Sequence, residues 1–278
     1  MKRTSDKLLK CLIWACGLFV AAISVGMIVY IVVRGLPYLS WSLLTTAPSE
    51  LKGTIGILPM IINTIYIIVI TLLIATPIGV GAAIYLNEYA RSTSRVVRAI
   101  EFTIETLSGI PSIIYGLFGY MFFSIFMGLK VSILSGALTV AIVTLPLIIR
   151  TTQESLKTVP DSYREGALAL GAKKLHLIFT ILLPCAMPGI ITSVILSIGR
   201  IIGESAALIF TAGIGYSLPK GLFSHIGKSG ATLTVQLYQY ASRGESLTVC
   251  FAVATILILV VLLLNLSTKY ISSKFMKK

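Results

Sequence analysis

Long uncharged apolar stretches dominate the sequence, separated by short segments that carry most of its lysines and arginines. A bilayer core of about 30 Å needs about 20 helical residues, so each uncharged run of that length predicts a transmembrane helix. Six such helices are predicted, over residues 11–33, 53–87, 106–129, 131–149, 175–212 and 246–268. The second region is long enough for a span preceded by an external or interfacial segment, with a break at Pro59. The fifth region is interrupted by Pro184, Pro188, Arg200 and Glu204. For the fifth region we therefore expect one span with an irregular entry.

The basic residues predict the orientation, because short loops rich in Lys and Arg stay on the cytoplasmic side. With the N-terminus inside, most of the 23 basic residues fall in cytoplasmic segments. They are Lys2, Arg3, Lys7, Lys10, Arg91, Arg95, Arg98, Arg150, Lys157, Arg164, Lys173, Lys174, Lys269, Lys274, Lys277 and Lys278. An even number of spans returns the C-terminal tail to the same side, so both termini are expected to be cytoplasmic.

Composition narrows the class of protein further. Of the 278 residues, 56% are hydrophobic and only 12% are charged, against about 25% charged in an ordinary soluble domain. This excludes a soluble enzyme and predicts an all-α integral membrane protein. The formal charge of +13 indicates contact with an anionic lipid bilayer rather than with nucleic acid. We divide the chain into residues 1–52, a core of 53–268 with a cytoplasmic loop at 150–176, and a basic tail at 269–278.

Arg200 is a candidate for a substrate pathway, because an arginine at the centre of a membrane helix costs about 2.5 to 3.5 kcal/mol and is rare without a function. If the fifth span starts after Pro188 and runs to about Ala212, Arg200 lies near its middle. If the span starts at Leu175, Arg200 lies at its outer end. The prolines favour the first register.

Glu204 follows Arg200 by four residues, which places both side chains on one face of a continuous helix. The planar guanidinium fits phosphate oxygens, and a nearby carboxylate can accept the proton that hydrogenphosphate carries. The pair is therefore predicted to attract an oxyanion. A buried ion pair that only offsets its own desolvation remains the alternative.

Two serines flank a break at Gly109-Ile110-Pro111 in the third span. Ser108 and Ser112 are candidates for the pathway if their hydroxyls face a lumen, although most such serines only bind helix carbonyls. Glu101 and Glu105 lie at the cytoplasmic entrance of the same span. We interpret these carboxylates as part of a solvated or interhelical charge network.

The loop 150–176 carries a helix of its own. Pro160 is a helix start signal, residues 163–170 are helix-prone, and Gly171 is expected to end or kink the helix. Small residues allow another protein to approach the backbone closely, while Arg164 and Glu165 are expected to supply charged contacts. The loop is therefore predicted to be a docking element.

This loop resembles a known signature. Its spacing resembles the EAA-x3-G-x9-I-x-L-P motif of permease subunits in ATP-binding-cassette (ABC) importers. Here the motif begins with Glu165, Gly166 and Ala167. Gly171 follows after three residues, and Ile-Leu-Leu-Pro at 181–184 follows after nine more. Gly166 stands where the motif has Ala, which weakens the helix by up to about 1 kcal/mol. In that family the segment is a coupling helix that fits a cleft on the ATPase. The resemblance therefore assigns ATPase coupling to Glu165, Gly166, Ala167 and Gly171.

Residues 107–119 and 199–208 are similar to the phosphate-specific permeases of that family (PstA type). The resemblance implies six transmembrane helices in the type I ABC importer permease fold, in a bacterial cytoplasmic (inner) membrane. It also implies three partners: a homologous permease (PstC type), an ATPase dimer (PstB type) that uses ATP and Mg, and an external phosphate-binding protein (PstS type). The chain itself is expected to bind no cofactor and no metal, and to lack an ATPase site. Residues 221–229 resemble a P-loop, the phosphate-binding loop of many ATPases. The second glycine lies one position further from the first than that motif requires, so we interpret the match as chance.

Two other functions remain open at this stage. An integral-membrane enzyme would need a nucleophile or a metal cluster, and neither is evident. An ion-gradient-driven secondary anion carrier would use Glu204 as a proton or sodium site, but paired internal repeats, which such carriers often have, are not evident. Neither alternative explains the docking loop.

Overall fold

The computed structural model describes residues 2–49, 55–90, 94–219, 221–244 and 247–275. Within these ranges the chain is helical apart from turns and an isolated bridge between Tyr216 and Gly230, which confirms the all-α class. Several positions used in the sequence predictions lie outside the described residues: the boundary at 52/53, Arg91, Ser246, Lys277 and Lys278.

Helices follow one another along the chain with short connections. They are α1 (Lys2–Gly35), α2 (Trp41–Thr45), α3 (Leu58–Ile84), α4 (Arg95–Gly109), α5 (Ser112–Gly119), α6 (Ile133–Lys157), α7 (Asp161–Ala169), α8 (Lys174–Leu177), α9 (Leu183–Gly203), α10 (Ala206–Thr211), α11 (Leu222–Ile226), α12 (Leu233–Ser242) and α13 (Leu247–Phe275). Helical turns of other types prolong or join some of them: Leu36–Tyr38, Tyr85–Tyr89, Tyr120–Phe126 and Ile178–Leu182.

Five helical segments of the described chain are long and apolar enough to cross a membrane. They are Leu9–Tyr38, Leu58–Tyr89, Ile133–Lys157, Lys174–Gly203 and Leu247–Tyr270. A sixth crossing is formed if the pair Arg95–Gly109 and Ser112–Phe126, bent by 103°, counts as one broken span. Five of the six predicted spans are therefore found outright, and the sixth is found if the bent pair is one span. Two of the six run differently from the prediction.

The first difference concerns the predicted span 106–129. Its first residues belong to α4, a separate helix with a charged face, and the chain turns sharply at Ile110 before α5 begins. Pro111 causes the break, because proline has no N–H to donate and forces the preceding residue out of the helical region. Ile110 is accordingly extended, with φ −73° and ψ 131°.

The second difference concerns the span 175–212. The helix begins at Lys174 and passes through both prolines, so the expectation that it starts after Pro188 was wrong. The π-helical turn Ile178–Leu182 directly precedes Pro184 and widens the helix where the proline leaves a carbonyl without its usual donor. The entry is thus irregular, as expected, and a second irregularity lies at the exit, where the helix ends at Gly203 and resumes as α10.

Helices α3, α6 and α9 form the centre of the molecule, with α3 packed along α6 and α6 along α9. The backbones approach closely at Gly79, where an added Cβ would lie 2.7 Å from Ile148 Cγ2. Helix α1 packs at the periphery against α13, where Thr255 Oγ1 donates to Ile31 O at 3.2 Å. We call the end of the bundle that holds α7 and α8 the basic end, and the end that holds α11 and α12 the far end.

Candidate translocation pathway and coupling helix

Arg200 lies at the level of the middle of α6. Helix α9 runs back along α6, and Gly189 of α9 approaches Ser155 near the basic end of α6. Arg200 is about three helical turns further along α9, which places it opposite the region of Thr144. The helix thus begins as in the second predicted register, and Arg200 lies in its last turn as that register predicts, although it is level only with the middle of α6.

Helix α10 explains why Arg200 is at the end of α9 but not at the end of the bundle. It continues towards the far end from the point where α9 stops. An added Cβ at Gly116 of α5 would lie 2.8 Å from Ala207 Cα at the start of α10. At the other end of α10, a Cβ at Gly136 would lie 2.7 Å from Ala212 Cβ. Because Gly136 lies in the first turn of α6, α10 continues from the middle of the bundle towards the far end.

The Arg200 side chain lies on an uncovered face of α9. Arg200 is exposed in the isolated chain, as is Leu196 one turn before it, and a Cβ added at Gly203 would meet no other atom within 4 Å. This face therefore has room for a second protein chain or for a passing solute.

Glu204 does not share this face. It sits in the break between α9 and α10, is 9% exposed, and has extended backbone angles (φ −77°, ψ 120°). Its Oε1 accepts a hydrogen bond from Ala207 N at 3.1 Å, and its carbonyl accepts one from Thr234 Oγ1 at 3.0 Å. The expectation of an i, i+4 pair on one helix was therefore wrong, because the helix ends one residue before Glu204.

Tyr115 is a neighbour of Arg200 that the sequence analysis did not single out. It is buried in α5, the helix that packs against α10 just beyond Arg200. The same hydroxyl donates to Leu107 O at 2.7 Å and so bridges the sharp turn between α4 and α5. A tyrosine in an apolar run carries no pattern that would mark it in advance.

The two serines lie on either side of that turn. Ser108 Oγ donates to Glu105 O at 2.7 Å, which is a bond within its own helix, and Ser112 is the first residue of α5. Glu105 Oε2 lies 3.5 Å from Arg150 Nη2 of α6. This ion pair joins two helices at the basic end, as the charge-network interpretation expected.

Helix α7 matches the predicted docking helix closely. It follows Pro160, ends near Ala169, and is closed by Gly171 with φ +80°, a left-handed conformation that favours glycine. Glu165 and Gly166 are exposed, and Leu170 beside them is 90% exposed. Ala167 is buried against the rest of the chain instead. A leucine as exposed as Leu170 indicates a surface that the rest of this chain does not cover.

Arg164 differs from the expectation for this helix. Its guanidinium turns inward and contacts Glu88 at the end of α3, with Nη2 3.1 Å from Glu88 Oε1. It is therefore not one of the outward charges that a docking partner would meet. The sequence did not indicate this, because the two residues are 76 positions apart.

The fold is that of the permeases of type I ABC importers. A solved chain of a bacterial alginate ABC transporter, 15% identical, superposes with a TM-score of 0.66 over 99% of this chain and 97% of its own, which concerns the fold alone. Residues 75–277 match the family described as binding-protein-dependent transport system inner membrane component, and the chain belongs to this family.

Two relatives cover most of the chain. A probable ABC transporter permease protein YqgI of Bacillus subtilis is 34% identical over 291 aligned positions, covering 100% of this chain and 98% of the relative. The phosphate transport system permease protein PstA of Haemophilus influenzae is 36% identical, covering 93% of this chain and 87% of the relative.

Proposed function

We propose that this chain is one half of the membrane pathway of an ATP-driven importer of inorganic phosphate. The observation that carries the proposal is Arg200, a cation in the last turn of α9 on an uncovered face of that helix. An always-ionised planar guanidinium suits an oxyanion, and similarity to a phosphate permease supports phosphate as that anion. Ser108 and Ser112 would add polar groups at the turn between α4 and α5. Glu204 would contribute by holding the break in the helix.

A homologous permease would complete the pathway against the uncovered faces of α9 and α5. Exposed apolar side chains on α5, such as Ile114 and Leu117, suit a helix of a partner or lipid. An external phosphate-binding protein would deliver the anion at the far end. The predicted orientation then places the basic end and both termini in the cytoplasm.

The energy would come from a separate ATPase dimer that uses ATP and Mg. Helix α7 offers the docking surface, with Glu165, Gly166 and Gly171 exposed and with Ala167 packed beneath them. The exposed Leu170 provides apolar area for the same contact. An ATPase that closes on nucleotide would thereby move the basic end of the bundle.

The substitution Arg200→Gln tests the pathway. It removes the charge on the uncovered face of α9 and should abolish phosphate uptake by cells that depend on this transporter, while the complex still assembles. Arg34→Gln is the matched control, because Arg34 is an exposed arginine at the end of the peripheral helix α1. Normal uptake by the Arg200→Gln variant would contradict the proposal.

A further inference from the structure

The Arg164 side chain lies where three helices meet at the basic end. Its Nε and Nη2 donate to Glu88 Oε1 at 3.3 and 3.1 Å, beyond the end of α3. Its Nη2 also donates to Leu156 O at 3.0 Å, and its Nη1 to Val159 O at 2.9 Å, where α6 ends. One side chain of α7 thus binds the ends of both α3 and α6.

Glu88 is held from other directions as well. Its side chain is 7% exposed, against 19% for Arg164, so the pair is largely shielded from water. Asn87 Nδ2 donates to Glu88 Oε1 at 2.8 Å. On the other side of α7, Lys174 Nζ donates to Glu88 O and lies 4.6 Å from the centre of the Tyr89 ring. The helices before and after Gly171 are therefore both attached to the end of α3.

This arrangement contrasts with the second carboxylate near Arg164. Asp161 Oδ1 accepts from Arg164 Nη1 at 2.9 Å, but the Asp161 side chain is 84% exposed. Exposed ion pairs contribute little to stability because water screens them. Shielded pairs with several hydrogen bonds hold their partners much more firmly, because breaking one leaves a buried charge. The firm contact of α7 is the one with α3.

We infer that the Arg164–Glu88 pair makes α7 and the basic ends of α3 and α6 move as one body. The inference rests on the proposed function, in which a separate ATPase displaces α7. Because α3 packs along α6, a displacement of α7 reaches the centre of the bundle through this pair. Arg164 and Glu88 are positioning residues, since neither meets the anion.

The test uses the complete transporter in liposomes, with two single variants, their double variant and a control variant. Glu88→Gln keeps an acceptor oxygen but loses the charge, and Arg164→Lys keeps the charge but loses the forked geometry. Both should retain the ATPase on purification, yet phosphate imported per ATP hydrolysed should fall about tenfold, within the range for coupling networks. The double variant should be no worse than the single ones, because the two residues act together. Asp161→Asn, the matched control, should leave the ratio unchanged.

A second measurement does not depend on phosphate being the substrate. Spin labels on exposed Ser162 of α7 and exposed Ile78 of α3, in a chain with its native cysteines replaced, report the distance between these helices. In the parent complex ATP should leave one narrow distance unchanged. In the Glu88→Gln complex ATP should shift or broaden it.

The outcomes separate this inference from the proposed function. If the parent chain retains no ATPase, docking at α7 is wrong, and the inference fails with it. If the parent couples normally and the variants keep both the transport ratio and the narrow distance, the inference alone is overturned. Loss of the ATPase from the two single variants would assign the pair to docking, and would also overturn it.

Discussion

Glu204 shows how one residue acquires a different role once the helix around it is known. Its carboxylate accepts from a backbone N–H in the first turn of α10, where a negative charge is also favoured by the helix dipole. The sequence marked Glu204 as unusual because a charge in an apolar run is costly. It did not indicate the helix break that explains the charge.

We predict that Glu204→Ala lowers the free energy of unfolding by about 1 kcal/mol, the usual cost of losing such a cap. Glu204→Gln should cost less, since its amide oxygen can still accept from Ala207 N. Thermal unfolding of the purified chain in detergent measures both. Equal losses for the two variants would show that the charge, rather than the hydrogen bond, holds the break.

His225 is a second residue whose role depends on its surroundings. It is fully buried in α11, outside the spanning helices, with Nε2 2.7 Å from Asn63 Oδ1. Asn63 Nδ2 donates to Ala231 O, so Oδ1 accepts from His225 Nε2–H. Burial, and secondarily the charge of Lys228, lower the pKa of His225. The folded chain therefore holds a neutral imidazole.

A lowered pKa predicts instability in acid. As the pH falls below about 6.5, the ordinary pKa of histidine, the unfolded chain takes up a proton that the folded chain refuses. The free energy of unfolding should decrease over that range, and His225→Gln should remove this part of the pH dependence. Melting curves at neutral pH and at lower pH measure the effect. His176→Gln is the control because His176 is exposed, and an equal effect of both variants would contradict the prediction.

At the scale of helices, the apolar runs predicted most of the architecture, because length and lack of charge are what a bilayer requires. The runs did not predict how prolines act. Pro111 breaks a helix, whereas Pro184 and Pro188 lie within one continuous helix of 30 residues. A π turn precedes Pro184, whereas Pro77 and Pro146 lie inside α3 and α6 without one. Hydropathy carries no information about which proline will break a helix.

Close packing at glycine is the element-scale feature most open to test. Gly116→Ala places a Cβ against the Ala207 backbone, which cannot rotate away as a side chain would. We expect a loss of about 1 to 3 kcal/mol from overpacking, measured by thermal unfolding. Gly81→Ala is the matched control in α3, where a Cβ meets nothing within 4 Å, so it should be neutral or stabilising. A neutral Gly116→Ala would show that α5 and α10 are less tightly packed.

At the scale of the whole molecule, motif and fold agree on the docking helix. The spacing of Glu165, Ala167 and Gly171 predicted a helix that the structure contains, closed at the glycine. The attachment of that helix to α3 was beyond prediction, because many arginines and glutamates were available and sequence distance does not rank them. Long-range pairing becomes visible only when the helices are placed in space.

We propose that this chain conducts phosphate only when a separate ATPase drives it. The most direct measurement is uptake of labelled phosphate into liposomes that contain the chain alone, or the chain with its permease partner, ATPase and binding protein, with and without ATP. We expect uptake only when all four components and ATP are present. Uptake by the chain alone, driven by an ion gradient, would contradict it.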